Sequence, residues 1–428
     1  MKAAFYTLGC KVNQYETQIM EQRLKAAGFD IVPPEQFADV YIVNSCTVTA
    51  ESDRKTRQIL RRLNAGNPQA LTVLSGCFPQ SSPERAKSIP EADIIAGTRE
   101  RADILDLIRE ALASGERLFR VNPFGQGGEE EPMRAEGLDG HTRAFVKIED
   151  GCESYCAYCI IPYARGPVRS KPADAIRDEV EGLATRGYKE AVLVGINLSS
   201  YGRDCGRTLE DAVTAACSTS IERIRFGSLE PNVITPGFID CVRSLDKVCP
   251  HFHLALQSGC EQTLRRMNRR YTPQRFREAA AALRQAFPGC GITTDIIVGF
   301  PGETQEEFAQ SLAFAHEIGF SQAHVFPYSK RAGTKAAAMP DQISKAEKSE
   351  RCRIMIDTCR ASQHAFWQAH IGKSMPVLFE TGHDGVFEGF APDYIPVKLR
   401  SGIDLAGQIA QTLITDYDSE GCIGVVLN

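Results

Sequence analysis

The sequence predicts an α/β protein in three parts. A parallel sheet with flanking helices comes first, then an open barrel of six strand–helix units, then a small antiparallel β-barrel. Three observations predict this. Short apolar runs alternate with helical stretches four times between residues 2 and 114, the pattern of a parallel sheet covered by helices. The alternation resumes at Arg143 and repeats six times, too few for a closed eight-unit barrel. Beyond residue 369 five short β-like runs separated by Gly and Asp turns take over. With 428 residues, 43% hydrophobic and 24% charged, the chain has material for several cores, which excludes a disordered protein. No apolar run reaches a membrane span and the start alternates like a strand, so a cytoplasmic protein without a membrane partner is expected. The 15 cysteines then point to a reducing compartment and metal work, not to a disulfide scaffold.

In the first part, residues 1–121, the expected strands run from about Ala3 to Leu8, Val40 to Asn44, Leu71 to Leu74 and Ile94 to Ala96. Cys10, Cys46 and Cys77 each follow a strand directly, and the carboxyl ends of parallel strands share the edge where such folds bind ligands. Gly9, Ser45 and Gly76 before them let the backbone approach a bulky group. Free cysteines are often only small core residues. The same placement three times points instead to a [4Fe-4S] cluster with three protein ligands and one open iron. Residues 122–142, with five Gly, two Pro and five acidic residues, read as a linker; Gly125-Gln-Gly-Gly128 is no phosphate loop because no strand leads into it.

The middle part, residues 143–368, has strand candidates near 144–148, 191–196, 223–228, 253–257, 293–298 and 323–328, followed by an amphipathic helix from about Asp341 to Gln368. Its first loop is Cys152-Glu-Ser-Tyr-Cys156-Ala-Tyr-Cys159. Three thiolates can hold three irons of a cube and leave the fourth open. A structural zinc would want a fourth ligand, and no nearby Cys or His offers one. The remaining cysteines, including Cys352 and Cys359, read as core residues. Net charge is −5, so a nucleic-acid partner must be held locally; Arg54–Arg62 and Arg265–Arg277 are basic runs without an acid, and Lys330–Thr334 adds charge. Arg265, Arg266, Arg269 and Arg270 follow the fourth strand and are candidate RNA contacts. In the last part, residues 369–428, Tyr394, Lys398 and Arg400 are candidates to meet RNA by stacking and charge.

The cysteine loop, with Tyr158 before its last cysteine, resembles the signature of the radical S-adenosylmethionine (SAM) enzymes. Thr7-Leu-Gly-Cys-Lys-Val-Asn-Gln-Tyr-Glu-Thr17, Asn44-Ser-Cys-Thr-Val-Thr49 and Ser75-Gly-Cys77 resemble the amino-terminal domain of the radical SAM methylthiotransferases, and Asp393-Tyr-Ile-Pro-Val-Lys398 resembles their TRAM domain. The resemblance implies a (βα)6 partial TIM barrel as the radical SAM core, an OB-like TRAM barrel and two [4Fe-4S] clusters. It further implies SAM on the open iron of one cluster, split by an electron to a 5'-deoxyadenosyl radical, and sulfur presented by the other. By the same resemblance Asn197, Ser228, Glu230 and Gln257 are expected to contact SAM, with Val298 and Phe326 near its adenine and Tyr158 beside it. The wording after Cys10 is most similar to the branch that acts on N6-threonylcarbamoyladenosine in tRNA. This implies methylthiolation at C2 of that base at position 37, beside the anticodon, with a flavodoxin- or ferredoxin-type electron donor and a sulfur donor. Isopentenyladenosine in tRNA or a ribosomal-protein aspartate remain alternative substrates, and a non-catalytic iron–sulfur RNA-binding protein a different class.

Overall fold

A computed structural model describes residues 1–124, 134–135 and 142–427. Most of the expected linker, including Gly125–Gly128, lies outside the described residues.

The first domain runs β1 (Lys2–Thr7), α1 (Lys11–Ala26), β2 (Asp30–Ile31), β3 (Val40–Ser45), α2 (Ala50–Gly66), β4 (Leu71–Gly76), α3 (Cys77–Ser81), α4 (Pro83–Lys87), β5 (Ile94–Ala96), α5 (Ile104–Ser114) and β6 (Leu118–Arg120). The sheet order is β2-β1-β3-β4-β5-β6, every pair parallel. The edge strands β2 and β6, two and three residues long, are too short for sequence periodicity to reveal. Alternate residues bury opposite faces: Phe5, Ile42 and Val73 under α1 and α5, Tyr41, Val43 and Leu74 under α2 and α3. From β1 the chain goes first to β2 on one side and then to β3 on the other. That reversal opens a crevice at the carboxyl ends of β1 and β3.

The middle domain runs β7 (Arg143–Lys147), β8 (Glu149–Asp150), α6 (Ile161–Arg165), β9 (Arg169–Ser170), α7 (Ala173–Thr185), β10 (Glu190–Val194), α8 (Leu209–Cys217), β11 (Arg223–Phe226), β12 (Ser228–Leu229), α9 (Pro236–Arg243), β13 (His251–Leu254), α10 (Glu261–Arg266), α11 (Pro273–Ala286), β14 (Gly291–Val298), α12 (Gln305–Ile318), β15 (Gln322–Pro327), α13 (Lys335–Ala338) and α14 (Lys345–Gln368). Parallel strands pair in chain order as β7-β10-β11 and β12-β13-β14-β15. β11 and β12 are one strand interrupted at Gly227, so the six expected units form a curved, open sheet. Its two edges are covered by helices: α1 packs on β7 and α14 on β15. α14 begins four residues later than expected, capped by Ser344, and places Cys359 and Cys352 in the barrel core. Cys205, by contrast, is exposed rather than a core residue.

The last domain is a closed barrel of β16 (Ser374–His383), β17 (Val386–Phe390), β18 (Pro396–Arg400), β19 (Ile409–Tyr417) and β20 (Cys422–Val426), ordered β16-β17-β18-β20-β19. It is not wholly antiparallel, because β18 meets β20 in parallel to close it. Trp367 of α14 joins Val377, Phe379, Val397 and Ile414 in its core. The barrel docks on the amino ends of the middle strands. Arg225 forks onto Glu190 at 2.7 and 3.0 Å and donates to the Pro392 carbonyl at 2.9 Å, while Arg143 pairs with Glu380. Tyr394, at φ +72°, is wedged there: its ring stacks on His251 at 4.5 Å and Phe390 at 4.7 Å. Arg225 and Arg143 also pack over it. Both faces of the ring are therefore occupied, which removes Tyr394 from the base-stacking role expected of it. Among the described residues no helix is long and apolar enough to cross a membrane.

Candidate active site

β1, β3 and β4 are neighbours in register, Thr7 beside Asn44 and Ser45 beside Gly76, so Cys10, Cys46 and Cys77 emerge side by side at one sheet edge. Each thiol lies in the electrostatic field of the other two. Cys46 and Cys77 are buried, whereas Cys10 is exposed. Burial raises the Cys46 thiol and pushes Cys77 up to about 12. Gly76 has φ +100°, and a Cβ there would lie 2.6 Å from both Asn44 Oδ1 and the Ser45 carbonyl. A polar scaffold built from residues beside the cysteines in the quoted motifs fixes these loops. Cys10 Sγ donates to Asn13 Oδ1 at 3.3 Å, Asn13 Nδ2 donates to the Ser45 carbonyl at 3.2 Å, and Asn44 Nδ2 donates to Thr17 Oγ1 at 3.1 Å.

The second triad sits in the loop from β8 to α6. Burial raises the Cys152 thiol and pushes Cys159 up to about 12. The loop is pinned by backbone bonds, Cys152 N to Gly166 O at 3.0 Å and Ala157 N to Met267 O at 2.9 Å. Among the described residues no three Cys, His, Asp or Glu are grouped to hold a single metal ion. Three thiols at each site do fit a cube, which spreads its ligands over separate irons.

The two triads adjoin, because α3, which begins at Cys77, packs on α6. Arg165 at the end of α6 is fully buried. It ion-pairs with Glu16, reaches Asp150 at 3.4 Å and donates to Asn13 at 3.3 Å. Lys147 and Arg101 complete the cluster, at 3.1 Å from Asp150 and 3.0 Å from Glu16 respectively. Burial alone would raise the Asp150 carboxyl, but Lys147, Arg165, Arg169 and Arg101 hold it well below the usual range. No single motif announces this network: Glu16 lies in the stretch after Cys10, whereas Arg101, Lys147, Asp150 and Arg165 come from other parts of the chain.

Around the second triad the strand ends bring several expected residues together. Tyr158 is half-buried with its ring edge-on to Phe300 at 6.4 Å. Glu230 accepts from Arg269 at 2.9 Å, and Arg269 also donates to Cys156 Sγ at 3.2 Å. Arg269 thus faces the cysteine loop, which corrects its assignment to RNA. Asn197 is buried and donates to Ser200 at 3.0 Å; its backbone N–H donates to Glu149 at 2.7 Å. Glu149 belongs to no motif: it is buried, one carboxylate oxygen has no partner, and burial raises its carboxyl well above the usual range. Ser228 is exposed, and Gln257 holds a left-handed φ of +64° where it bridges Ile296. Phe326 is exposed on β15, but the Val298 side chain packs in the helix-facing core. Strand parity makes Ile297 the neighbour that reaches the cysteine-loop cluster.

The charge run resolves residue by residue. Arg266 is bound to Glu307, Arg277 to Glu317 and Arg265 to Glu261, whereas Arg270 is exposed. Arg265 is 77% exposed despite its pair and Arg400 is exposed, but Lys398 is held by Asp418 at 2.5 Å and Glu420 at 3.1 Å. The run looks uncompensated in the sequence because, Glu261 apart, its acids come from other elements.

A family model described as "Uncharacterized protein family UPF0004" matches residues 2–97, and the Radical SAM superfamily model matches residues 146–315. The chain is 37% identical to the threonylcarbamoyladenosine tRNA methylthiotransferase MtaB of Bacillus subtilis, over 96% of this chain and 93% of that one. It is 33% identical to a tRNA-2-methylthio-N(6)-dimethylallyladenosine synthase of Pelotomaculum thermopropionicum, over 90% and 87%. In fold it is similar to the radical SAM methyltransferase TsrM of Kitasatospora setae, with TM-score 0.55 at 14% identity over 76% of this chain and 72% of that one. Near full-length identity to methylthiotransferases, and the radical SAM match across the open barrel, place this chain in the MtaB-like radical SAM methylthiotransferase family.

Proposed function

We propose that this protein adds a methylthio group to C2 of N6-L-threonylcarbamoyladenosine at position 37 of tRNA. The observation that carries the reading is the pair of thiol triads, each of three cysteines, on loops joined by the packed helices α3 and α6 in a chain of this family. Cys10, Cys46 and Cys77 would hold one [4Fe-4S] cluster, and Cys152, Cys156 and Cys159 the other. When bound, the clusters and SAM supply the electron, the methyl group, the sulfur and the radical chemistry that an unreactive aromatic C–H requires.

The protein's own residues supply placement. Arg269 orients the Cys156 thiolate, and Glu230 holds Arg269. Asn197, Ser228, Glu230 and Gln257 at the strand ends and Tyr158 in the cysteine loop would cradle SAM, with Phe326 and the backbone at Val298 near its adenine. The barrel wall excludes water from the reacting centre. A loop adenosine is accessible because its base can leave the stack. Arg265, Arg270 and Arg400 are the exposed cations suited to phosphates. An electron donor of flavodoxin or ferredoxin type and a sulfur donor complete the cycle, in the cytoplasm.

The test is mass spectrometry of tRNA nucleosides from cells with and without the protein. Loss of 2-methylthio-N6-threonylcarbamoyladenosine with accumulation of its precursor supports the reading, and Cys10→Ala or Cys152→Ala should fail to restore it. Loss of the methylthio isopentenyl nucleoside instead would move the substrate to the other tRNA branch.

A further inference from the structure

The start of α1 enters the open barrel. Val12 packs on Val192 and Val194, the inward-facing residues of β10, beside Phe145 of β7. Lys11, next to the exposed Cys10, is solvent-accessible yet lies among groups on the inner wall. Tyr394, Arg143, Arg225 and Glu190 act on it from below, and its own charge is felt by His251, Asp295 and His324. Those neighbours are largely committed to each other. Arg225 is forked onto Glu190, Arg143 onto Glu380, and His253 pairs with Asp295 at 3.4 Å. The Lys11 ammonium makes no hydrogen bond or ion pair among the described residues. Because the Lys11 ammonium is exposed to solvent and unpaired, it is free to meet an anion that enters the lumen.

We propose that Lys11 is the specificity residue that receives the carboxylate of the N6 substituent. This inference rests on the substrate reading above. An adenosine carrying a threonylcarbamoyl group presents a carboxylate on the N1 side of the ring, near C2, whereas an isopentenyl group presents none. A base whose C2 faces the Cys10 triad therefore directs its N6 substituent toward the same lumen, where Lys11 is the uncommitted cation. Lys11 is a positioning residue that orients the base, and it takes no part in bond making.

The test is binding of the full-length protein to two anticodon stem-loop RNAs, one carrying N6-threonylcarbamoyladenosine and one carrying its neutral carboxamide. The native chain should prefer the carboxylate RNA by on the order of tenfold, the size of one charge-assisted hydrogen bond. Lys11→Gln should erase that preference by weakening only the carboxylate RNA, and Lys11→Arg should keep most of it. Iron and sulfide content of Lys11→Gln should match the native protein, which separates recognition from damage at Cys10. If Lys11→Gln weakens both RNAs equally, or neither, while the native chain still prefers the carboxylate, the role of Lys11 is overturned and the substrate reading stands. If the native chain has no such preference and methylthiolates an isopentenyladenosine RNA instead, both fall.

Discussion

Arg165 joins what the cysteine motifs leave separate. It lies six residues beyond Cys159, yet its partners Asn13 and Glu16 belong to the helix that starts beside Cys10. Arg165→Gln would leave Glu16 and Asp150 buried with one cation fewer, and removing one partner of such a network costs about 3 kcal/mol. Chemical unfolding of the full chain should show that loss, while breaking an exposed, solvent-screened pair such as Arg353–Glu350 should leave stability essentially unchanged. Gly76 gives a second test at this scale. Gly76→Ala forces a Cβ to within 2.6 Å of the Ser45 carbonyl, between the second and third cysteines. Gly28, at φ +86°, has nothing within 4 Å of where an added methyl would sit, so Gly28→Ala carries the left-handed backbone strain alone, about 1 kcal/mol. Iron content of the purified protein should fall for Gly76→Ala and hold for Gly28→Ala.

At the scale of elements, the sequence shows what repeats and conceals what is assembled. The strands bearing Cys10, Cys46 and Cys77 are legible because each is a short apolar run ended by a small residue and a cysteine. The edge strands β2 and β6 are not, being too short to carry a period. The strand end at Val298 is visible in the sequence and suggests the adenine side, but the face a side chain takes depends on register that only the paired sheet reveals. The α10 region is the clearest case, since six arginines read as one patch while Glu261, Glu307, Glu230 and Glu317 divide them among different tasks. Two substitutions should therefore behave oppositely. Arg265→Gln should weaken tRNA binding and lower the slope of log affinity against log salt by about 1, with normal iron content. Arg269→Gln should leave that slope unchanged and alter iron loading or the visible spectrum, because its guanidinium touches Cys156.

Across the whole molecule, the two barrels are joined at the end of the strands opposite the cysteine loop. Arg143, Glu190 and Arg223 begin their strands, while Cys152 follows the other end of the first one. The carboxyl-terminal domain thereby closes the floor of the lumen with Tyr394. Gly291 allows this approach, since a Cβ there would meet the Asp393 carbonyl at 2.1 Å. Glu190 is the acid at the centre of the joint. Burial alone would raise its carboxyl, but Arg225, Arg143 and Arg223 hold it below the usual value. Since the folded-state value lies below that of an unfolded glutamate, about 4.3, Glu190 stabilises the joint fully above that pH. The contribution fades as pH falls toward the folded-state value. Glu190→Gln should lower stability at pH 7 by about 3 kcal/mol, because Arg225 loses its buried carboxylate. The difference from the native chain should shrink below about pH 4 as the native carboxyl itself is neutralised. Urea unfolding of both proteins from pH 7 down to pH 3 measures this directly. A gap that stays constant with pH would mean that the Glu190–Arg225 pair, which lies within the middle domain, does not brace the joint, and that the Arg143–Glu380 pair and the packing around Tyr394 carry it.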